Sequence, residues 1–280
     1  MTLEMLAERV ARTARDIWLR GWAEAGAGNV SVRLPAALPE REGGLRLQED
    51  WVPLEPEEPE LGGGFFLVTA SGSLFRILEE APTKGCGVIG LDDTGARYRR
   101  VWGFEDGGVP SSEIRAHLAV HAARCRTGAG EPLAVVHVHA THLVALTRAL
   151  SLDTVSLTRL LWSTHAECMA FFPEGVEVAP WQVPGSQALS EVTARGLESR
   201  RLAVWPFHGV VAVGKDVDEA LGLIEVGEKA AELYLEAAGV EGPNEGLGDA
   251  ALRAIAAGFG VEPEETILKG RSPRGKEEEA

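Results

Sequence analysis

Two histidines separated by one residue, His137 and His139, have a clear capacity for chemistry. They lie in the stretch 134–147, whose first residues are mostly β-branched, as is typical of a strand. Alternate side chains of a strand share a face, so both imidazoles point the same way, with their Cα atoms roughly 7 Å apart. Imidazole is the commonest metal ligand, so the pair could converge on one metal ion. Two hydrogen-bonded histidines on a half-polar strand are the alternative interpretation.

A third histidine, His208, precedes Gly209 at the junction of two apolar segments that are predicted to be strands. Glycine inside a strand pattern often marks a place where another backbone or a ligand approaches closely. An imidazole at such a place could complete a set of three histidines around a metal ion. A single histidine buried in the core is the alternative.

Glu113 is the carboxylate that could work beside such a metal ion. It follows Pro110, Ser111 and Ser112, a combination typical of a helix start, and the helix is predicted to run to about Arg126. A helix start with two serines is also suited to binding an anion. A glutamate in the first turn either complements the helix dipole or points at the metal ion.

His117 and His121 follow Glu113 at intervals of four residues, so the three side chains share one face of the predicted helix. The two histidines could form a separate metal pair of HxxxH spacing. That interpretation is the less favoured one, because the HExxH context that identifies a zinc helix is missing.

Two glycine-containing turns could bring backbone N–H groups to an oxyanion such as a phosphate. One is Gly26–Asn29, which leads into a short alternating strand, and the other is Ala70–Ser73, which ends the buried strand Phe65–Thr69. Ordinary turns with local serine capping would have the same composition.

The predicted helices and strands that must position these residues indicate one α/β domain over residues 1–269. We expect a central, mostly antiparallel sheet flanked by helices, because successive strands between residues 65 and 102 do not fit a regular βαβ repeat. Apolar spacing predicts a first helix over 3–22, packed as a separate layer, and a last long helix over 216–238. Thr141 is predicted to cap the helix that follows the central strand.

Two segments lie outside this regular pattern. Residues 35–64 are rich in proline, glutamate and glycine and are predicted to form a surface excursion, in which the acidic run Glu55–Glu60 is a solvated loop. A short edge strand is expected around Trp51–Leu54. The charged tail at 270–280 is predicted to be disordered.

The composition excludes several classes of function. The 280 residues carry a formal net charge of -15, so no nucleic acid is expected as a general partner. Three widely spaced cysteines argue against a disulfide framework and for a reducing compartment. The charged N-terminal segment does not resemble a signal peptide, and no stretch of about 18 apolar residues predicts a membrane span. We therefore expect a cytoplasmic protein.

Five motifs occur in the order found in class II aldolases of the aldolase/adducin family, and the resemblance covers nearly the whole chain. They are Asn29–Arg33, Ala70–Ser73, Ser111–Glu113, His137–Thr141 and His208–Gly209. The segments around Glu167, Trp181–Gly185 and Trp205–Gly209 resemble one branch of this family more specifically.

The resemblance implies roles for individual residues. His137, His139 and His208 match the ligands of one Zn²⁺ per subunit, and Glu113 matches the catalytic carboxylate. Glu167 matches a second acidic residue that reaches the active site of a neighbouring subunit in a cyclic homotetramer. The residues that match substrate and phosphate contacts are Gly28, Asn29, Ser71, Gly72, Ser111 and Ser112. Gly26 stands where relatives have asparagine, so one side-chain contact to substrate is missing.

The implied reaction is reversible cleavage of the sugar phosphate L-rhamnulose 1-phosphate to dihydroxyacetone phosphate and L-lactaldehyde. An aldolase or a 4-epimerase for another sugar phosphate is an alternative on the same scaffold. A zinc hydrolase that uses metal-bound water and an adducin-like structural module without metal are the others, since a fold does not fix a function.

Overall fold

A nine-stranded sheet forms the centre of the computed structural model, which describes residues 2–35, 50–128, 134–237 and 246–269. The strands are β1 (Asn29–Leu34), β2 (Val52–Pro53), β3 (Phe65–Thr69), β4 (Cys86–Leu91), β5 (Arg97–Gly103), β6 (Ala134–Val138), β7 (Val176–Val178), β8 (Leu202–Trp205) and β9 (Gly209–Gly214). Their order in the sheet is β2-β5-β4-β3-β1-β6-β9-β8-β7. Among the strands of the described residues, only β7 and β8 pair in parallel, so the predicted mostly antiparallel sheet is confirmed.

Helices cover both faces of this sheet. They are α1 (Leu3–Leu19), α2 (Pro82–Gly85), α3 (Ile114–Thr127), α4 (Thr141–Ala149), α5 (Thr154–Thr164), α6 (Glu167–Phe171), α7 (Gln187–Gly196), α8 (Val217–Ala237), α9 (Asp249–Phe259) and α10 (Glu265–Leu268). Short 3₁₀ helices occur at Glu24–Gly26, Pro59–Leu61, Phe75–Glu80 and Glu105–Gly107. No helix in the described ranges is both long and apolar enough to cross a lipid bilayer.

Strand β6 lies between β1 and β9, and its side chains alternate between two hydrophobic clusters. Val136 and Val138 belong to the large cluster beneath α1, α4, α5 and α8, whereas Val135 belongs to the cluster beneath α3 and α7. This alternation follows from the two-residue period of a strand. It places His137 on the α3 side of the sheet, in the direction opposite to Val136 and Val138.

The first helix does not form a separate layer. The buried side chains of α1, among them Leu6, Val10 and Ile17, belong to the same hydrophobic cluster as Val136. The prediction of a separate layer was therefore wrong, because the apolar stripe of α1 packs into the main core.

The excursion contains a buried part that composition did not indicate. Val52–Pro53 forms the predicted edge strand, paired with β5. Leu54 and Leu61 are buried, and Glu58 between them is only 8% exposed. Burial raises the pKa of Glu58 to about 7, opposed by the charge of Arg126. The solvated-loop interpretation of the acidic run was therefore wrong for Glu58. Residues 36–49 and the predicted tail at 270–280 lie outside the described residues.

Candidate active site

Three histidines meet where β6 and β9 lie side by side. His137 is in β6, His139 is the first residue after this strand, and His208 lies in the turn that joins β8 to β9. One ligand atom from each histidine lies within 4.8 Å of the other two, and this is the one such group found among the described residues. The two distant parts of the sequence thus provide one set of imidazole ligands.

The hydrogen bonds of His137 orient it as a ligand. Its Nδ1 lies 2.9 Å from the carbonyl oxygen of Val210, an acceptor, so Nδ1 carries the proton and Nε2 carries the lone pair. Nε2 is buried and has no hydrogen-bond partner. Burial, together with the charges of His208 and His139, lowers the pKa of His137 well below its usual value. A neutral imidazole with an unsatisfied buried lone pair is what a metal ion requires.

The other two imidazoles are also held in place. Nδ1 of His139 lies 2.6 Å from Oε1 of Glu24. Burial would raise the pKa of Glu24, but the hydrogen bond with His139 lowers it overall, so a carboxylate is the partner of this ring. The ring of His208 stacks on Trp205 at a centroid distance of 5.0 Å. Burial lowers the pKa of His208, against the opposing charge of Glu113, which favours the neutral ligand form.

Gly209 is where the backbone approaches the histidines closely. A Cβ at this position would lie 2.5 Å from the oxygen of Val138, 2.7 Å from Cε1 of His137 and 3.0 Å from Cδ2 of His139. Any side chain would therefore displace two candidate ligands. The prediction of a close approach beside His208 is confirmed.

The carboxylate of Glu113 faces the histidines. Its oxygens lie 3.4 Å from Nε2 of His137 and 3.6 Å from Nε2 of His208. Glu113 occupies the position immediately before α3 rather than the first turn, and its backbone N–H donates to Oγ of Ser111 at 3.3 Å. The carboxylate is therefore directed at the site rather than serving the helix terminus.

The candidate phosphate-binding residues are brought together by backbone pairing. Ala70 and Pro110 form an isolated β-bridge, and the N–H of Ser71 donates to the carbonyl of Val109 at 2.8 Å. The N–H of Ser111 donates to the carbonyl of Thr69 at 3.1 Å. The turn that contains Ser71 and Gly72 thus lies beside the serines at the start of α3, Ser111 and Ser112.

The glycine turn before β1 lies against the same turn. A Cβ on Gly26, where φ is +83°, would lie 3.5 Å from the oxygen of Gly72, which shows how closely the two backbones pass. Gly28 also has a φ of +83°, and a Cβ there would lie 3.3 Å from the oxygen of His137. These contacts place both turns at the edge of the histidine group.

Asn29 has a partner that the sequence did not indicate. Its Nδ2 donates to Oε2 of Glu113 at 2.7 Å, and its Oδ1 accepts from Nε2 of His117. Nδ1 of His117 and Nε2 of His121 both contact Oγ of Ser31, at 2.8 and 2.9 Å. Because both nitrogens of His117 are hydrogen-bonded, the HxxxH metal pair was a wrong interpretation.

Glu167 lies apart from this group within one chain. It is the exposed first residue of α6, a short helix that packs against α8 and α9. Its carboxylate makes no hydrogen bond or ion pair with the three histidines in the described part of the chain.

Comparisons with known proteins agree with this geometry. A profile of the family described as "Class II Aldolase and Adducin N-terminal domain" matches residues 8–235. Rhamnulose-1-phosphate aldolase of Escherichia coli O7:K1 is 36% identical over 264 residues, which cover 94% of this chain and 96% of that protein. The enzyme of the same name from Pectobacterium atrosepticum is 37% identical and covers 92% and 94%.

A solved structure shows the same fold. The sugar-phosphate aldolase from Thermotoga maritima has a TM-score of 0.72 and 30% identity, and the match covers 86% of this chain and 99% of that one. With a family profile over most of its length and relatives above 30% identity, this chain belongs to the class II aldolase and adducin family.

Proposed function

We propose that this protein is a metal-dependent aldolase that cleaves L-rhamnulose 1-phosphate reversibly to dihydroxyacetone phosphate and L-lactaldehyde. The observation that carries the proposal is the carboxylate of Glu113, 3.4 Å from the buried Nε2 of His137, inside a group of three imidazoles. The substrate is chosen because relatives that match over nearly their whole length bear the name rhamnulose-1-phosphate aldolase.

His137, His139 and His208 are proposed to hold the metal ion, with Zn²⁺ as the preferred one. Zn²⁺ bound by three neutral imidazoles keeps its full charge and an open coordination position, as in other catalytic sites. Such an ion, when bound, stabilises negative charge that develops on the carbonyl and hydroxyl oxygens of the substrate. The orphaned lone pair of His137 Nε2 fits this assignment.

Glu113 is proposed to move the proton that the reaction requires. Breaking the bond between C3 and C4 of the ketose leaves an electron pair at C3, which must receive a proton to form the hydroxymethyl group of dihydroxyacetone phosphate. In cleavage, the C4 hydroxyl loses its proton to solvent as the aldehyde forms, and Glu113 in its carboxylic acid form donates a proton to C3. In condensation, the Glu113 carboxylate removes the proton from C3 and the C4 oxygen gains one from solvent. Asn29 holds the carboxylate by donating to Oε2.

The phosphate is proposed to bind between the turn at Ser71–Gly72 and the helix start at Ser111–Ser112. Backbone N–H groups and hydroxyls can bind a dianion without lysine or arginine. This arrangement explains how a chain with a net charge of -15 accepts an anionic substrate. The backbone contacts that join the two segments support the proposal.

A homotetramer, in the cytoplasm, is proposed as the working form, with Glu167 of one subunit completing the site of another. Two observations support it. Trp181, Val183 and Phe207 are 58–60% exposed, and such apolar side chains are typical of a surface covered by another chain. Within the described residues, Glu167 makes no hydrogen bond or ion pair with the three histidines of its own chain.

Release of dihydroxyacetone phosphate from L-rhamnulose 1-phosphate, coupled to a reductase, tests the proposal on zinc-loaded and chelated protein. We expect release that depends on the metal. Metal binding with no release from this or another ketose 1-phosphate would favour the 4-epimerase, and ester hydrolysis without ketose cleavage would favour a hydrolase. Absence of both metal binding and release would favour a structural module.

A further inference from the structure

A row of buried polar side chains extends from Glu113 into the core. Asn29 and Ser31 are alternate residues of β1 and share one face, while His117 and His121 are one turn apart on α3. The four are between 0 and 5% exposed. Buried polar side chains that only stabilise a fold have no need to end at a carboxylate of the active site, as these do.

The Glu113 carboxylate, at the end of the row nearest the three histidines, fixes the direction of every hydrogen bond in the row. The Glu113 carboxylate only accepts, so the amide nitrogen of Asn29 donates to it and the amide oxygen faces His117. Nε2 of His117 must therefore carry a proton. A charged imidazole without a counter-ion is costly at a position this deeply buried, so His117 is neutral and its Nδ1 accepts.

The same argument applies further inward. Because Nδ1 of His117 accepts, the hydroxyl of Ser31 donates to it. The serine has no second proton, so its oxygen accepts from Nε2 of His121. Every group in the row thus donates toward Glu113, and the ring of His121 packs against Phe66 with a centroid distance of 5.1 Å, which anchors the inner end.

We propose that His117 is a positioning residue, which acts through the side-chain amide of Asn29 to hold the Glu113 carboxylate toward His137 and His208. Without a donor at His117, the amide of Asn29 has no partner that fixes its orientation, and it can present its oxygen to the carboxylate. The carboxylate then loses its hydrogen bond and its place 3.4 Å from His137. The inference rests on the proposed function, since it deepens the role of Glu113.

Two substitutions at His117 separate positioning from packing. In His117→Gln, a side-chain N–H₂ can reach the place of Nε2 and restore a donor to Asn29. His117→Leu has comparable bulk and no donor. We expect His117→Leu to lose about 10- to 100-fold in kcat, the range common for groups behind a metal site, with metal content unchanged and KM within about threefold. His117→Gln should recover most of kcat.

A half-reaction isolates the proton step. Deuterium from solvent should enter dihydroxyacetone phosphate at the carbon that Glu113 serves, and His117→Leu should slow this exchange by the same factor as kcat. Exchange at the wild-type rate in His117→Leu, or equal losses in the leucine and glutamine variants, would overturn the proposal.

A further pair of variants keeps the test possible if His117→Leu does not fold. One spectroscopic measurement keeps it possible if the protein lacks the proposed activity. If His117→Leu does not fold, Ser31→Ala replaces it, with Ser190→Ala, another buried serine, as the matched control. Long-range ¹H–¹⁵N spectra of histidine-labelled protein report the tautomer of His117 without any turnover. The Nε2–H form is expected. The Nδ1–H form would overturn the inference, while absent aldolase activity with the Nε2–H form would count only against the proposed function.

Discussion

The carboxylate of Glu228 binds His142 twice, accepting from its backbone N–H at 2.8 Å and lying 2.9 Å from its Nδ1. The second oxygen accepts from the N–H of Leu143 at 2.8 Å. A residue of α8 therefore caps α4, the helix that begins two residues after His139. Thr141, the predicted cap, is instead the first residue of the helix.

Removal of this cap should destabilise the fold. Glu228→Ala leaves two N–H groups near the start of α4 without their acceptor, and we expect a loss of about 2–3 kcal/mol in the free energy of unfolding. Urea denaturation monitored by fluorescence measures it. Glu236→Ala, an exposed position on the same helix, is the control and should change stability by no more than about 0.5 kcal/mol. Equal effects of the two substitutions would contradict the capping role.

Glu113→Gln tests the proton-transfer role of the carboxylate. The amide keeps the size of the side chain but cannot exchange a proton at carbon, so kcat should fall about 10²- to 10⁴-fold. The three histidines are unchanged, so metal content, measured by plasma emission spectroscopy, should equal that of the wild type. Full turnover in this variant would remove Glu113 from the mechanism.

Gly209→Ala should damage the metal site through one methyl group. The new Cβ would lie 2.7 Å from the ring of His137, closer than van der Waals contact allows, so the candidate ligands must shift. We expect metal affinity, measured by competition with a chelator, to fall at least about tenfold. Gly222→Ala in α8 is the control, because nothing lies within 4 Å of its Cβ and alanine favours a helix. Wild-type affinity in Gly209→Ala would contradict the described approach.

Glu58 should make stability fall as the pH rises. Burial raises its pKa from 4.5 to about 7, so between these values the unfolded chain loses the proton while the folded chain keeps it. Folding is therefore favoured below pH 4.5, and that advantage is lost as the pH rises through 7. Glu58→Gln removes the penalty and should stabilise the protein by on the order of 1 kcal/mol at pH 8 and by almost nothing at pH 4.

Thermal unfolding at the two pH values measures this difference. Glu57→Gln, at the exposed neighbouring position, is the matched control and should give the same shift at both pH values. If Glu58→Gln behaved like Glu57→Gln, the carboxylate of Glu58 would not be buried in solution.

Local patterns predicted that His137, His139 and His208 could share one site, and the family resemblance then implied their role as metal ligands. The period of a strand places His137 opposite Val136, and the glycine after His208 indicates a close approach, so both features depend only on neighbouring residues. Strand β1, predicted as a short alternating strand after the glycine turn, and strand β3, predicted as Phe65–Thr69, both lie on one flank of β6. Neither the alternating sequence of β1 nor the apolar run of β3 requires information about tertiary packing to be recognised.

The side chains behind the ligands could not be predicted in this way. Glu24 contacts His139 only when the 3₁₀ helix Glu24–Gly26 lies beside the end of β6. Ser31 contacts His117 only when α3 packs on β1. The spacing of Asn29 with Ser31 and of His117 with His121 was visible, but a spacing within one element does not say which other element it faces. Glu58 was missed because two buried leucines, Leu54 and Leu61, draw the acidic run inward.

The hydrogen bonds that build the site join residues far apart along the chain. Glu24 and His139 are 115 positions apart, Asn29 and His117 are 88 apart, and His137 and Val210 are 73 apart. Contacts of this kind require long loops to close, at an entropic cost that grows with the length of the loop. Metal binding should therefore require the complete fold. We expect the ion to stabilise the native state by binding to it alone, and we expect shorter fragments of the chain not to bind it.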